Sequence, residues 1–402
     1  MRPSRRALFG GALAALGAGL LSRRARAAEE RYLVVYFVKG GWDPAFVFDP
    51  HFGSAVVAGD DTAELATVAG IPFADSPARP SVRRFFETWG AQTAVINGLY
   101  VGSISHDAGT RLLFTGDRGV AGTDLCTRIA AGAGASLSLP HAVVGGPSFP
   151  GDDGALVSFF DDTSLAAARG SSPVVRDDAR EARLQAWLAA EAGGLPVDDV
   201  QADAWRASLG RLPALQAFAA SSPTDVGLES GRVALIASLL GGGSTRTAVL
   251  TGSVPPLAQW DSHIRNAVLQ SVCYENLFAR LDELCAVLQG TVGTDGGSLL
   301  ARTRILVVSE MGRQPSQNAQ GGKDHWATTS AMLIGADVAG GRVYGGTDDS
   351  MVARGLNRVS GAADEGSSVF DPGALAATLA LGFDLDPEEL APGAEGLGAI
   401  WG

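Results

Sequence analysis

Acidic and imidazole side chains recur in five short polar segments of the chain. The segments are Lys39–Asp43, Ser103–Asp107, Trp260–His263, Glu310–Arg313 and Gly322–Trp326. They contain carboxylates and imidazoles but no cysteine, which is the ligand inventory of a divalent metal ion held by oxygen and nitrogen. The residues therefore predict a metal centre of one or two ions, and the ligand types allow Zn²⁺, Mn²⁺, Mg²⁺ or Ca²⁺.

The scarcest side chains of the sequence lie in these segments. Three of the five histidines, His106, His263 and His325, fall there. Of the 31 basic residues only Lys39 and Lys323 are lysine, and both belong to the same segments. A compact ammonium group beside a bound anion is one physical reason to keep lysine, because a guanidinium does not replace it freely.

Each of these residues also has an ordinary structural explanation. Asp43 comes after two glycines and could be a turn residue, and Asp261 or Ser262 could cap a helix that begins at Ile264. Glu310 could form a simple ion pair with Arg313, and a lone histidine is more often a satisfied surface or core residue. The conjunction of the five segments is what favours a functional site.

The segments follow short runs rich in Val, Ile and Leu, which predict strands buried on both faces. The predicted strands are Tyr32–Val38, Thr93–Asn97, Thr247–Thr251, Ile305–Ser309 and Ala331–Ile334. The predicted helices are Ala108–Phe114, Asp178–Ala192, Gly231–Leu240, Ile264–Leu288 and Ala374–Leu381. This alternation predicts an α/β fold with a doubly wound, mostly parallel sheet. Ligands of such folds bind beyond the carboxyl ends of the strands, so the five segments should meet at one edge.

Residues 1–27 are predicted to be a targeting segment. They contain six arginines and no acid, with paired Arg5 and Arg6, an uncharged run from Ala7 to Leu21 and a small-residue cleavage pattern ending at Ala27. The run is shorter than the ~20 apolar residues of a membrane span. The pattern is similar to a twin-arginine (Tat) signal, with a general secretory signal as the alternative. We therefore expect a periplasmic or secreted protein that meets the Tat translocon and is not an integral membrane protein after cleavage.

The remaining residues, 28–402, are predicted to form one domain with a helical insertion at about 149–243 that has no histidine or cysteine. The net charge of −12 excludes a nucleic-acid partner, since a polyanion would be repelled. Cys126, Cys273 and Cys285 are expected to be buried apolar fillers.

Five motifs late in the chain are familiar as an ordered set. WDSH, EMGRQPSQN, GGKDHW, GGRVYGGTD and DPGALAATL resemble the bacterial exported family called domain of unknown function 1501. The resemblance covers the signal, the first strand with GGWD, the segment from Ile96 to Gly116 and most of Thr247–Leu390, but not the insertion. It implies the fold of the alkaline phosphatase and sulfatase superfamily.

Enzymes of that superfamily use two divalent metals to act on phosphate or sulfate esters. At the matching positions, the resemblance implies the metal ligands Asp43, Asp261, His263, Glu310, Asp324 and His325. Glu310 stands where the late strand of the superfamily usually ends in Asp. Arg313 or Lys323 would bind the non-bridging oxygens of an anionic ester substrate.

The nucleophile position departs from the alkaline phosphatase pattern. Counting back from Thr115 and Gly116 places His106 where those enzymes have their attacking serine. His106 could be a phosphoryl-accepting nucleophile or a third imidazole ligand. Ser103, Ser105 and Thr110 lie close enough to be alternative attacking groups.

Two functions follow from these observations. The leading hypothesis is an exported, metal-dependent hydrolase of phosphate or sulfate esters. The alternative is a non-catalytic envelope or surface protein that keeps the fold and a structural metal site, which a histidine at the nucleophile position would favour. A pure carbohydrate- or protein-binding module has no motif in its support.

Overall fold

The computed structural model describes residues 31–116, 122–162, 164–165, 199–221 and 226–402. The predicted signal segment 1–27 and the predicted helix Asp178–Ala192 lie outside the described residues. Over the described ranges, none of the helices combines the length and the apolar character that crossing a bilayer requires.

An eight-stranded sheet forms the centre of the fold. Its strands are β1 (Tyr32–Val38), β4 (Thr93–Tyr100), β5 (His141–Val144), β6 (Val157–Phe159), β7 (Thr247–Thr251), β8 (Thr303–Ser309), β11 (Thr328–Gly335) and β12 (Arg342–Gly345). Their spatial order is β12-β4-β11-β8-β1-β7-β5-β6. Two small antiparallel ladders pair β2 (Glu64–Val68) with β3 (Ile71–Asp75) and β9 (Gly312–Arg313) with β10 (His325–Trp326).

Helices cover both faces of this sheet. They are α1 (Pro80–Trp89), α2 (His106–Thr115), α3 (Leu125–Gly134), α4 (Asp199–Ser221), α5 (Glu229–Gly241), α6 (Asn266–Gly290), α7 (Pro372–Gly382) and the short α8 (Pro387–Leu390). Because alternate side chains of a strand point to opposite faces, Tyr32, Val34 and Tyr36 of β1 join the core under α1, α5 and α6. Leu33 and Phe37 join the core under α2, α3 and α7. The predicted α/β class and doubly wound sheet are confirmed.

One predicted strand runs against the others. Strand β11 is antiparallel to both β4 and β8, whereas β1 lies parallel to β7 and β8. The beginning of β11 therefore lies at the edge where β8 ends. A residue that precedes β11 reaches the same edge as residues that follow the parallel strands.

The region predicted as a helical insertion is not wholly helical. Strand β6 pairs in parallel with β5 and widens the sheet. Phe160, just after β6, packs against Phe218 of α4 with ring centroids 5.9 Å apart. The described helices of this region, α4 and α5, thus adjoin the sheet, and the domain boundaries stay a prediction.

The cysteines occupy the two cores. Cys126, Cys273 and Cys285 are free thiols and all are buried, as expected. Burial raises the pKa of Cys273 to about 12, so this thiol stays protonated. These side chains fill apolar space.

Candidate metal centre

Polar side chains from four parts of the chain meet at one edge of the sheet. His106 begins α2 after β4, Asp261 and His263 follow β7, and Glu310 follows β8 directly. His325 lies in β10, just before the antiparallel strand β11. The fold thereby gathers residues that are up to 219 positions apart in the numbering of the chain.

The carboxylate of Asp261 lies at the centre of this group. Its Oδ1 atom is 3.0 Å from Nε2 of His325 and 3.1 Å from Nε2 of His263. Its Oδ2 atom is 3.4 Å from Nε2 of His106. One ligand atom from each of His106, Asp261 and His325 lies within 4.8 Å of the other two. Each of these three residues can therefore offer one ligand to the same ion.

Hydrogen bonds fix which nitrogen of each imidazole carries the proton. Nδ1 of His325 lies 2.6 Å from the carbonyl oxygen of Ile104. A carbonyl oxygen only accepts, so Nδ1 donates and the neutral ring keeps a lone pair on Nε2. Nδ1 of His106 lies 2.7 Å from Oε1 of Glu310, a carboxylate oxygen that likewise accepts.

His263 repeats this arrangement. Its Nδ1 lies 2.8 Å from Oδ1 of Asp324, and its Nε2 lies 3.0 Å from Nε2 of His325. In their neutral forms all three imidazoles thus direct an Nε2 lone pair at the Asp261 carboxylate. Such an arrangement is repulsive unless a cation lies among these atoms or the rings are protonated.

This geometry fits a metal ion. Histidine ligands of metals almost always donate their other ring N–H to a carboxylate or a backbone carbonyl, which fixes the tautomer and the orientation of the ring. Glu310, Asp324 and the carbonyl of Ile104 provide that support here. The donor set of imidazole nitrogens and one carboxylate suits Zn²⁺ and similar transition-metal ions better than Ca²⁺ or Mg²⁺.

Glu310 is fully buried behind His106. The backbone N–H of Gly40 donates to both of its carboxylate oxygens, at 2.8 and 3.1 Å. Ser309 Oγ donates to Oε2 at 3.1 Å. The hydrogen bond to Glu310 raises the pKa of His106 against the opposing effect of burial. Gly40 has a φ of +121°, a conformation that favours glycine at this turn.

Arg313 is a further partner of the Asp261 carboxylate. The buried guanidinium donates to Asp261 Oδ1 at 2.8 Å, to the carbonyl of Gly41 at 2.8 Å and to the carbonyl of Gly40. Burial alone would raise the pKa of Asp261, but the hydrogen bond and the positive charge of Arg313 oppose it, and the pKa is lowered to about 2. The carboxylate is therefore ionised at neutral pH. Arg313 pairs with Asp261 rather than with Glu310, the partner considered from the sequence.

Asp43 contacts a different set of residues. Its Oδ2 atom forms an ion pair with Lys323 Nζ at 2.7 Å and accepts a hydrogen bond from Asn266 Nδ2 at 2.8 Å. Its Oδ1 atom accepts from the backbone N–H of Ala45 at 3.2 Å. The side chains of Asp43 and Lys323 are both 0 % exposed. A protein cation thus neutralises this carboxylate. Its contacts favour a structural role, and a role as metal ligand stays a prediction.

Helix α6 supplies three residues that the sequence analysis did not identify. Asn266, Gln270 and Tyr274 repeat at intervals of four, so they share one face of the helix. Gln270 accepts the backbone N–H of Asp43 at 2.9 Å, and the Tyr274 hydroxyl donates to the Asp43 carbonyl at 3.0 Å. The available signal was a pair of amides, four residues apart, on the helix face that continues into buried leucines.

The candidate attacking groups lie at the start of α2. Ser105 immediately precedes the helix and is exposed, next to His106 and to Ile104, whose carbonyl accepts from His325. Ser103 Oγ accepts the backbone N–H of Ser105 at 3.1 Å. Thr110 lies one turn into the helix and lines a neighbouring cavity. His106 is engaged through both ring nitrogens, which favours the imidazole-ligand alternative over the nucleophile.

Comparison with known proteins gives a family and a set of similar folds. Residues 30–398 match the sequence profile of the family described as "Protein of unknown function (DUF1501)". No curated protein matches the sequence. A sulfatase from Pseudoalteromonas sp. is similar in structure at 10% identity and a TM-score of 0.39, over 83% of this chain and 68% of the sulfatase. A phosphonate monoester hydrolase from Silicibacter pomeroyi is similar at 11% identity and a TM-score of 0.41, over 92% of this chain and 76% of the hydrolase.

Proposed function

Because the chain belongs to the DUF1501 family, whose description assigns no activity, we propose a function from the site itself: metal-dependent hydrolysis of phosphate or sulfate esters. The observation that carries this proposal is the convergence of three imidazole Nε2 atoms on the Asp261 carboxylate. His106, Asp261 and His325 would hold one divalent transition-metal ion, with His263 beside them. A bound ion would polarise the ester oxygen as a Lewis acid.

Two further carboxylates, Glu310 and Asp324, orient the histidine side chains. Glu310 and Asp324 accept the Nδ1–H groups of His106 and His263, and thereby aim the Nε2 atoms. Arg313 and Lys323 were expected to bind substrate oxygens. Both are fully buried and bonded within the protein, so we assign them to positioning Asp261 and Asp43.

Ser105 is the attacking group in this proposal. Its side chain is exposed at the N-terminus of a ten-residue helix, where backbone N–H groups lack intrahelical partners and favour negative charge. The hydroxyl oxygen would attack phosphorus or sulfur while the alkoxide of the ester departs, and the hydroxyl proton would end on the released alcohol. Water would then cleave the resulting serine ester and release phosphate or sulfate. His106 would remain a ligand throughout.

Metal binding is tested first. The purified protein is stripped with a chelator, and its melting temperature is measured with added Zn²⁺, Mn²⁺, Mg²⁺ or Ca²⁺. Zn²⁺ or Mn²⁺ should raise the melting temperature in a concentration-dependent way, because an ion that binds only the folded state stabilises it. Asp261→Asn and His325→Ala should abolish the rise. His51→Gln is the matched control, since His51 contacts Asp49 and Thr347 instead.

Hydrolysis is tested with 4-nitrophenyl phosphate and 4-nitrophenyl sulfate. The metal-loaded protein should turn over one of them, and Ser105→Ala should abolish turnover while keeping the metal-dependent rise in melting temperature. Absence of turnover with every metal would contradict the hydrolase. If metal stabilisation persisted in that case, the protein would be the non-catalytic alternative, a function that the engagement of His106 through both ring nitrogens favours.

Export through the Tat route belongs to the same proposal. Arg5 and Arg6 followed by an uncharged run support it, and the protein would reach the periplasm folded. Replacing both arginines by lysine should leave the precursor in the cytoplasm. Normal appearance of that variant in the periplasm would indicate a general secretory signal.

A further inference from the structure

A cavity lies beside the metal centre, on the side of helix α2. Its volume is about 560 Å³, within the roughly 300–1,000 Å³ of small-molecule sites. Its lining includes Phe37, Lys39, Asp107, Thr110, Arg111 and Phe149. They combine two aromatic rings, two cations, one carboxylate and a hydroxyl.

Its outer wall is fixed by hydrogen bonds within the protein. The backbone N–H of Phe149 donates to Oδ2 of Asp124 at 2.7 Å, and the N–H of Asp124 donates to the carbonyl of Phe149 at 2.8 Å. The guanidinium of Arg111 lies 4.4 Å from the centre of the Phe149 ring. Arg111 therefore forms a cation–π contact with Phe149 in the cavity lining.

The cavity adjoins the metal centre along two stretches of backbone. Lys39 precedes Gly40, whose N–H donates to Glu310 behind His106. Asp107 follows His106 directly. Consecutive residues of the same two segments thus line the cavity and support the imidazole cluster.

The cations near the imidazole cluster and those of the cavity differ in burial. The buried cations Arg313 and Lys323 are bonded to Asp261 and Asp43, whereas Lys39 is exposed and lines the cavity with Arg111. Among the described residues of the lining, Lys39 and Arg111 outnumber the single acid Asp107, which leaves one net positive charge. Of the two lysines of the sequence, Lys323 is thus buried within the fold, and Lys39 faces a cavity that can hold a ligand.

We propose that this cavity binds the alcohol part of the ester, and that Lys39 and Arg111 select alcohols that carry a second anionic group, such as a carboxylate. The proposal rests on the hydrolase function above. The ring of such an alcohol would lie against Phe149 and Phe37, and its anion would lie near the two cations. The substrate class is then a phosphate or sulfate ester of an anionic, ring-sized alcohol.

The kinetic test compares phenyl phosphate with 4-carboxyphenyl phosphate, or the two corresponding sulfates. The native protein should prefer the carboxylated ester. Lys39→Gln should raise KM for that ester about fivefold, the upper range of a solvent-exposed ion pair, and leave kcat and both constants for the plain ester unchanged. Arg84→Gln is the control, because Arg84 is an exposed arginine of α1 whose side chain is 56% exposed. If Lys39→Gln changed KM equally for the two esters, or changed it for neither, the proposal would be overturned.

A binding measurement separates this proposal from the hydrolase itself. Calorimetry on the purified protein compares benzoate with benzamide, which have the same shape and differ in charge. Benzoate should bind more tightly, and Lys39→Gln should remove the difference while Arg84→Gln keeps it. If no ester is hydrolysed but this pattern is found, the hydrolase fails and the anion-selective cavity stands. Equal binding of the two probes to the native protein would end the cavity proposal even if ester hydrolysis is found.

Discussion

Carboxylates of the same formal charge have different roles in this site because they have different neighbours. Asp261 faces three imidazole Nε2 atoms and the Arg313 guanidinium. Glu310 is buried behind one imidazole and accepts its Nδ1–H. Asp43 is paired with a buried ammonium group. The hydrogen bonds and ion pairs of the three carboxylates thus differ, although their formal charges are the same.

Removing the orienting acid should weaken metal binding without removing a ligand. In Glu310→Gln, His106 loses the carboxylate that fixes its Nδ1–H, and the affinity for Zn²⁺ should fall about 10–100-fold. Competition with a fluorescent chelator measures this affinity. Glu87→Gln, at an exposed position of α1, should leave it unchanged. An unchanged affinity in Glu310→Gln would show that His106 needs no such support.

An acid outside the site should govern part of the stability at low pH. Asp60 accepts from Thr62 and pairs with Arg79 at 2.6 Å, and the Arg79 side chain is 0 % exposed. Burial by itself would raise the pKa of Asp60, but its hydrogen bonds and Arg79 lower it to about 2. A depressed folded-state pKa gives stability that is present above the unfolded pKa of about 3.9 and is lost as pH falls toward 2.

Urea unfolding at pH 5 and pH 3 tests this assignment. The native protein should lose stability between these values, and Asp60→Ala should lose less over the same interval. At pH 7 the variant should be about 3 kcal/mol less stable, the lower end for a broken buried pair, because Arg79 keeps hydrogen bonds to Ser271 and Phe46. Identical pH dependence of the two proteins would contradict the ion pair.

At the scale of elements, the antiparallel strand β11 and the β9–β10 ladder place His325. The ladder pairs His325 with Arg313, so His325 and the residue that anchors Asp261 are adjacent across two short strands. The loop between them packs against the other histidine segment, with Asn318 donating to the carbonyl of His263 at 2.9 Å. The position of this loop sets the spacing of the imidazoles.

A methyl group at Gly322 should disturb that spacing. An added Cβ would lie 1.9 Å from the carbonyl oxygen of His263, so the loop that carries Asp324 and His325 must move. Gly322→Ala should therefore lower the affinity for Zn²⁺ by about tenfold or more, within the range of lost ligand support. Gly290→Ala is the matched control, because a Cβ there meets no atom within 4 Å. Competition with a chelator measures the Zn²⁺ affinity of both variants. If the two affinities were equal, the loop would tolerate the added methyl group.

At the scale of the whole molecule, the arrangement of charge predicts the number of ions. The superfamily resemblance implied two metals, but Lys323 already neutralises Asp43 in a fully buried pair. A second divalent cation next to that ammonium group would be repelled. Elemental analysis of the Zn²⁺-loaded protein should give one ion per chain, and His325→Ala should give less than one. Two ions per chain would show that Asp43 is a ligand after all.

The sequence alone determined the parts of this protein that depend on local pattern. Short Val, Ile and Leu runs predicted β1 and β7 with their observed bounds, because a strand buried on both faces must be apolar throughout. Helices α1 and α3 and the short strands β5 and β6 were not predicted, since their patterns are brief or mixed. The motifs after the strands identified His106, Asp261, His263 and His325, because parallel strands end at a common edge.

Only the tertiary structure decided which partners those residues contact. Glu310, Asp324 and Asp43 are equivalent carboxylates in a sequence, and their roles depend on which donor each one meets. Arg313 and Lys323 were equally plausible as substrate-binding cations until burial placed them inside the protein. Side-chain direction and burial come from packing between residues far apart in the chain, and no local pattern records them.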